Sequence, residues 1–169
     1  MEPAGRKENA MSIAMHPIGV IHSPFTDPRT MPIQPVSENS AAGSVEIFPE
    51  FAAGLKDLEG FSHILLVYHF HRSRSWSPTV TPYLDTVPRG LFATRAPSRP
   101  NPIGLSLVRL VRVEGARLQV ENIDVLDGTP LLDIKPHVPE FDCAPGARIG
   151  WLEQAAAEMR KKVADDRFH

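Results

Sequence analysis

Residues 104–114 read GLSLVRLVRVE, and the two sides of that stretch alternate cleanly. Leu105, Leu107, Arg109, Val111 and Val113 share one side of an extended chain, with Ser106, Val108, Leu110 and Arg112 on the other. Glu114 and Gly115 then supply a turn, and residues 116–123, ARLQVENI, supply a return strand, so the pattern is a β-hairpin. Working outward, residues 61–70 (FSHILLVYHF) are apolar on both sides and rich in β-branched and aromatic side chains, which suits a strand at the centre of a sheet. Residues 16–22 (HPIGVIH) place Ile18, Val20 and His22 opposite Gly19 and Ile21 and read as a first strand. Residues 43–48 and 90–94 read as short strands, and residues 49–58 as a brief helix with Pro49 near its first position. Strand and turn signals at this spacing predict a mainly β fold, an antiparallel sheet or barrel.

The rest of the chain supports that class. Its 169 residues suit one domain, and 17 prolines, about twice ordinary usage, disfavour a helical bundle. Residues 23–35 hold Pro24, Pro28, Pro32 and Pro35, and residues 72–88 hold Pro78, Pro82 and Pro88, so both read as long loops of the kind that carry function. From 148 to 163, Trp151, Leu152, Ala155, Ala156, Met159 and Val163 recur at helical spacing. The expected organisation is a flexible start over 1–14, a β-barrel domain over 15–145 and a C-terminal helix over 146–169 packed on the barrel. No run approaches the roughly 18 apolar residues of a membrane span, and the polar start lacks a signal-type segment. The one cysteine, Cys143, offers neither an internal disulfide nor a thiolate cage. The expectation is a soluble cytoplasmic protein.

Charge is unevenly spread. Residues 71–112 carry seven arginines (Arg72, Arg74, Arg89, Arg95, Arg99, Arg109 and Arg112), no lysine and one acid, Asp85, for a local charge of +6. Residues 113–142 carry seven acids against Arg117 and Lys135, for −5. Arginine without lysine suits bidentate recognition of phosphate or carboxylate, and it equally suits ion pairing with the neighbouring acidic strands.

Several chemistries lack their signatures. There is no Gly-x-Gly-x-x-Gly turn, no phosphate-binding Gly-x-x-x-x-Gly-Lys-Ser/Thr loop and no Gly-x-Ser-x-Gly elbow. His63, His69 and His71 share one parity, but the first two would lie about 20 Å apart along a strand, so no metal is expected. Two segments stand out instead. FATRAPSRPNPIGLS, residues 92–106, combines stiffening prolines, Arg95 and Arg99 four apart, Ser98 and Asn101 as hydrogen-bonding groups, and Gly104 for close backbone approach. It reads as a rigid rim of donors around a site, because preorganisation lowers the ordering cost of binding. In DVLDGTPLLDIKP, residues 124–136, Asp127 and Gly128 make a tight turn, Thr129 and Pro130 redirect the chain, and Leu131, Leu132 and Ile134 resume a strand.

These two segments, with IGVIHSP and MPIQP upstream and FSHILLVYHFHRS between, closely resemble the TsaA-like (YaeB or TrmO) family over residues 17–142. That family comprises S-adenosylmethionine-dependent methyltransferases acting on N6 of the threonylcarbamoyl-modified adenosine 37 of tRNA. The resemblance implies a compact single-domain β-barrel with peripheral short helices, working as a homodimer on the anticodon stem-loop. It implies cofactor contacts at Pro32, Ile33 and Gln34, at His71 and Arg72, at Arg95 and Leu105, and at Asp127, Gly128, Thr129 and Pro130. Ile33 stands where many relatives carry a basic residue, and longer bacterial relatives carry an extra C-terminal domain. In-line methyl transfer would need an acceptor for the N6 proton, for which Asp127, His69 and His71 are all candidates. Two other readings stay open from the residues: a non-catalytic barrel binding a nucleotide-like ligand or RNA, and a metal-dependent hydrolase using His69 and His71.

Overall fold

Alternating side chains let a strand bury one face, and here every long strand is also hydrogen-bonded along both edges. A computed structural model describes residues 12–30, 41–82 and 85–153. Its strands are β1 (Gly19–His22), β2 (Ala42–Ile47), β3 (His63–His69), β4 (Thr79–Val80), β5 (Arg89–Gly90), β6 (Ile103–Glu114), β7 (Arg117–Glu121) and β8 (Thr129–Pro136). Six of them close into a barrel in the order β1-β2-β7-β6-β3-β8, and every neighbouring pair is antiparallel. Closure removes free edges. β4 and β5 form a separate two-stranded ribbon within the connection from β3 to β6.

The barrel interior is filled by side chains of one parity from each strand, as a six-stranded barrel requires. Ile21, Val45, Ile64, Leu66, Val108, Leu118 and Leu131 are fully buried there. On β6 the inward set is Gly104, Ser106, Val108 and Leu110, the parity read from the alternation, and Leu105, Leu107 and Arg109 face out. The alternation breaks once. A register shift between Leu110 and Arg112 inserts a bulge, so Val113 turns back to pack on the core instead of sharing the outer side with Leu105.

Other expectations are corrected in detail. The first strand begins at Gly19 rather than His16. β3 lies between two hydrogen-bonded neighbours as expected of a central strand, but its outward residues Leu65 and Val67 are only half-buried. The helix expected over 49–58 is two 3-10 segments, Pro49–Leu55 and Leu58–Gly60, broken where Asp57 adopts a left-handed φ of 66°. The strand expected over 90–94 stops at Gly90. A 3-10 turn, Leu91–Ala93, follows, and Thr94 Oγ1 donates to the Leu91 carbonyl, a local bond that competes with extended pairing. Pro139–Asp142 forms a one-turn helix, α1. Of the expected C-terminal helix, only residues to 153 are described, as a 3-10 turn at Gly150–Glu153; residues 154–169 lie outside the described set. So do residues 1–11 of the expected flexible start.

Gly104 shows how tightly the barrel closes. A Cβ at that position would fall within the ring of Tyr68, its cross-strand partner on β3. Tyr68 is buried and its hydroxyl is hydrogen-bonded, so the ring has no direction in which to yield. Gly104→Ala is expected to destabilise the fold by ~1–3 kcal/mol, read as a lower urea midpoint with an unchanged m-value. An unchanged midpoint would show that the ring gives way.

Candidate functional site

Because neighbouring strands all alternate in direction, each connection has an assigned end of the barrel. The connections β1 to β2, β3 to β6 and β7 to β8 all leave from one end; β2 to β3 and the β6–β7 hairpin leave from the other. The first end therefore receives every segment singled out in the sequence except the strands themselves.

The turn after β7 is tied to the end of β1. Gly128 holds φ at 76°, and its N–H donates to the Ile21 carbonyl at 2.9 Å, while the Asp127 N–H donates to the Phe25 carbonyl at 2.8 Å. The Asp127 carboxylate accepts from the Ser23 N–H at 3.2 Å and lies 3.3 Å from His22 Nδ1. The Ser23 hydroxyl in turn donates to the Val125 carbonyl. These bonds anchor the root of the segment that runs on to Pro32, Ile33 and Gln34, three expected contacts that lie outside the described residues.

Thr129, the first residue of β8, is buried, and its Oγ1 lies 3.4 Å from His71 Nδ1 just past the end of β3. Burial holds the His71 pKa below the ordinary imidazole value, reinforced by the charges of Arg72 and His69. The ring is therefore neutral at pH 7 and able to accept a proton. His71, Arg72, Asp127, Gly128, Thr129 and Pro130 thus meet at one mouth. Leu105 sits near the same end but on the outer face, half exposed and paired across the strand with Val67. His63 and His69 stay on β3, and among the described residues no group of three or more His, Cys, Asp or Glu side chains could hold a metal ion.

A buried polar chain lies inside this mouth. Ser106 Oγ donates to Asp124 Oδ1 at 2.6 Å, which uses its only hydrogen, so the Tyr68 hydroxyl must be the donor in the 3.0 Å bond to Ser106. Burial pushes the Asp124 carboxyl up to about 6, against the opposing Ser106 bond and the charge of Arg95. Burial, with Asp124 beside it, also keeps Tyr68 a neutral phenol. Arg95 is electrostatically coupled to both groups, which places its charge at the barrel mouth. Asp124 was not singled out as a site residue by the sequence reading. The available signal was Ser106, a hydroxyl on the otherwise apolar inward side of GLSLVRLVRVE.

The seven arginines divide by environment. Arg89 pairs with Asp85, Arg109 with Glu121 and Arg112 with Glu114, which is the ion-pairing alternative. Arg72, Arg74, Arg95 and Arg99 make no ion pair within 4 Å among the described residues, and all four belong to the β3–β6 connection. Arg99 instead donates to the carbonyls of Thr94 and Ala96.

This is a single-sheet antiparallel barrel with a loop-built polar site at one mouth. A family model described as the tRNA-methyltransferase O N-terminal domain matches residues 20–143. The chain is 54% identical over 158 residues to a probable S-adenosyl-L-methionine-binding protein of Pyrococcus abyssi, covering 94% of this chain and 86% of that one. It is 38% identical over 159 residues to the tRNA (adenine(37)-N6)-methyltransferase of Escherichia coli, covering 88% and 68%. The crystal structure of TrmO from Pseudomonas aeruginosa aligns with a TM-score of 0.71 at 41% identity, covering 83% of this chain and 63% of that one, so the chain spans less than two thirds of the solved protein. The chain belongs to the tRNA-methyltransferase O (TrmO) family, as the resemblance in its motifs implied.

The Asp124 carboxyl generates a pH prediction. Below pH 4 it is neutral folded and unfolded, so no penalty applies; from pH 4 to about 6 the unfolded chain ionises first and stability is lost. Asp124→Asn should remove that loss. The stability difference between variant and wild type, measured by denaturation, should move in the variant's favour by on the order of 3 kcal/mol between pH 4 and pH 7. A difference independent of pH would place Asp124 in a solvated setting.

Proposed function

We propose that the mouth formed by the three connections binds S-adenosylmethionine and transfers its methyl group to N6 of threonylcarbamoyl-modified adenosine 37 in tRNA. The observation that carries this reading is the convergence there of His71, Thr129 and the Asp127 turn with four arginines that have no ion-pair partner among the described residues. The donor set suits the cofactor. A guanidinium at Arg95 or Arg72 can pair with an amino-acid carboxylate, the backbone of residues 127–130 can read an adenine edge, and buried Asp124 can balance a cation. Pro32, Ile33, Gln34 and Leu105 complete the proposed contact set.

The bound cofactor would supply an electrophilic methyl group. The chain's part is positioning and proton management. Holding the acceptor nitrogen in line with the transferred carbon is the larger contribution, since a preset geometry removes the entropy of a bimolecular encounter. Neutral His71 is the best-supported acceptor for the N6 proton, with Asp127 as the other candidate at the same mouth. The arginines of residues 72–99 would hold stem-loop phosphates, so RNA affinity should fall with salt. Such a substrate belongs in the cytoplasm. The homodimer reading is supported by the outer faces of β3 and β6, where Val67 opposes Leu105 and Leu65 opposes Leu107, a patch of apolar cross-strand pairs that a second copy would cover.

Labelled methyl should appear on tRNA carrying the threonylcarbamoyl group and not on the same tRNA lacking it; transfer to neither would remove the methyltransferase reading. Arg95→Ala should weaken S-adenosylmethionine binding roughly 10- to 100-fold by calorimetry, the loss of one charge-assisted hydrogen bond. Unchanged affinity would take Arg95 out of the contact set.

A further inference from the structure

Phe92 is 82% exposed, although a phenyl ring normally gains from burial. The backbone of its two chain neighbours is nevertheless held. Leu91 beside it is buried, and the Leu91 N–H donates to the Pro78 carbonyl at 2.9 Å. The Thr94 hydroxyl closes the turn on the Leu91 carbonyl, and Trp151 Nε1 donates to the Ala93 carbonyl at 2.9 Å. A mobile loop would let the ring fold back onto the surface; this frame presents it outward.

Arg99 makes the arrangement specific. Its guanidinium lies 5.8 Å from the centroid of the Phe92 ring and is fixed by bonds to the Thr94 and Ala96 carbonyls. Only one face of a ring can take that cation, and the exposure of the side chain leaves the other available. The surrounding connection is cationic through Arg72, Arg74 and Arg95, and holds a second exposed aromatic, Trp76. Exposed aromatics among arginines that make no ion pair among the described residues match single-stranded nucleic acid, whose bases stack on the rings while the phosphates meet the guanidinium groups. A second copy of this chain is a poorer occupant, because pairing this face with itself would oppose like charges.

We propose that Phe92, backed by Arg99, is a stacking platform for an unpaired base of the RNA loop, separate from the pocket that would receive the methylated adenosine. This rests on the tRNA reading above. It assigns Phe92 to RNA affinity and not to the cofactor.

The test uses the full chain and an anticodon stem-loop RNA with 2-aminopurine placed in turn at each loop position. Wild type should quench one of the probes outside position 37. Phe92→Ala should lose that quench and weaken RNA binding about tenfold, the cost of one base–aromatic stack, while Phe92→Trp restores both and S-adenosylmethionine affinity stays at the wild-type value. If Phe92→Ala binds the stem-loop as wild type does, the platform is refuted while the tRNA reading stands. If it instead becomes monomeric in sedimentation with RNA affinity unchanged, the ring is a subunit contact and the proposal is also refuted. If wild type binds no stem-loop at all, the tRNA reading fails and this proposal with it.

Discussion

Barrel closure with strictly alternating strand direction is the constraint on which the rest of the structure depends. Six strands, each hydrogen-bonded on both sides, leave the barrel no free edge, and their directions oblige the connections β1 to β2, β3 to β6 and β7 to β8 to emerge at one mouth. Segments distant in sequence are thereby brought into contact: Ser23 with Asp127 across 104 residues, and His71 with Thr129 across 58. The tight packing of Tyr68 on Gly104 and the short antiparallel pairing of β1 with β8 keep that mouth in one shape. Rigidity in the wall lets proline-rich connections present polar groups at defined positions without needing helices to support them.

The two ends of the barrel differ chemically. Arg109, Arg112 and Arg117 lie on β6 and β7 against acidic partners, and their pairing there is ordinary surface electrostatics of small energetic value. In the β3–β6 connection Arg89 pairs with Asp85, whereas Arg72, Arg74, Arg95 and Arg99 make no ion pair among the described residues. Asp124 lies beneath them as a carboxylate buried at an energetic cost, and it is linked through Ser106 to Tyr68. Burial of that acid costs stability, and the charge of Arg95 opposes the cost.

Much of this was legible in the residues. The parity of GLSLVRLVRVE as far as Leu110, the hairpin after it and the Asp127–Gly128 turn stand as read, because each depends on local chemistry: alternation, or a glycine at positive φ. What escaped the reading depends on tertiary context. The bulge near Val111 follows from fitting a twelve-residue strand to shorter neighbours, and it reverses the side of Val113. The left-handed Asp57 divides what composition alone reads as one helix. Asp124 was hidden for a different reason. A carboxylate in a loop-like sequence reads as solvated, and only the folded barrel shows that it points inward. His71, Arg72, Arg95 and residues 127–130, which the family motifs single out, lie in connections or at strand ends that the strand directions bring to one end of the barrel.

Amide hydrogen exchange with and without S-adenosylmethionine tests the placement of the site most directly. Ligand-dependent protection should be confined to the mouth and the proposed contact set, at residues 22–25, 33–34, 71–72, 94–96, 105 and 124–130. Protection instead at the opposite end, around the hollow lined by Leu55, Lys56, Phe61, Ile134 and Pro136, would contradict it.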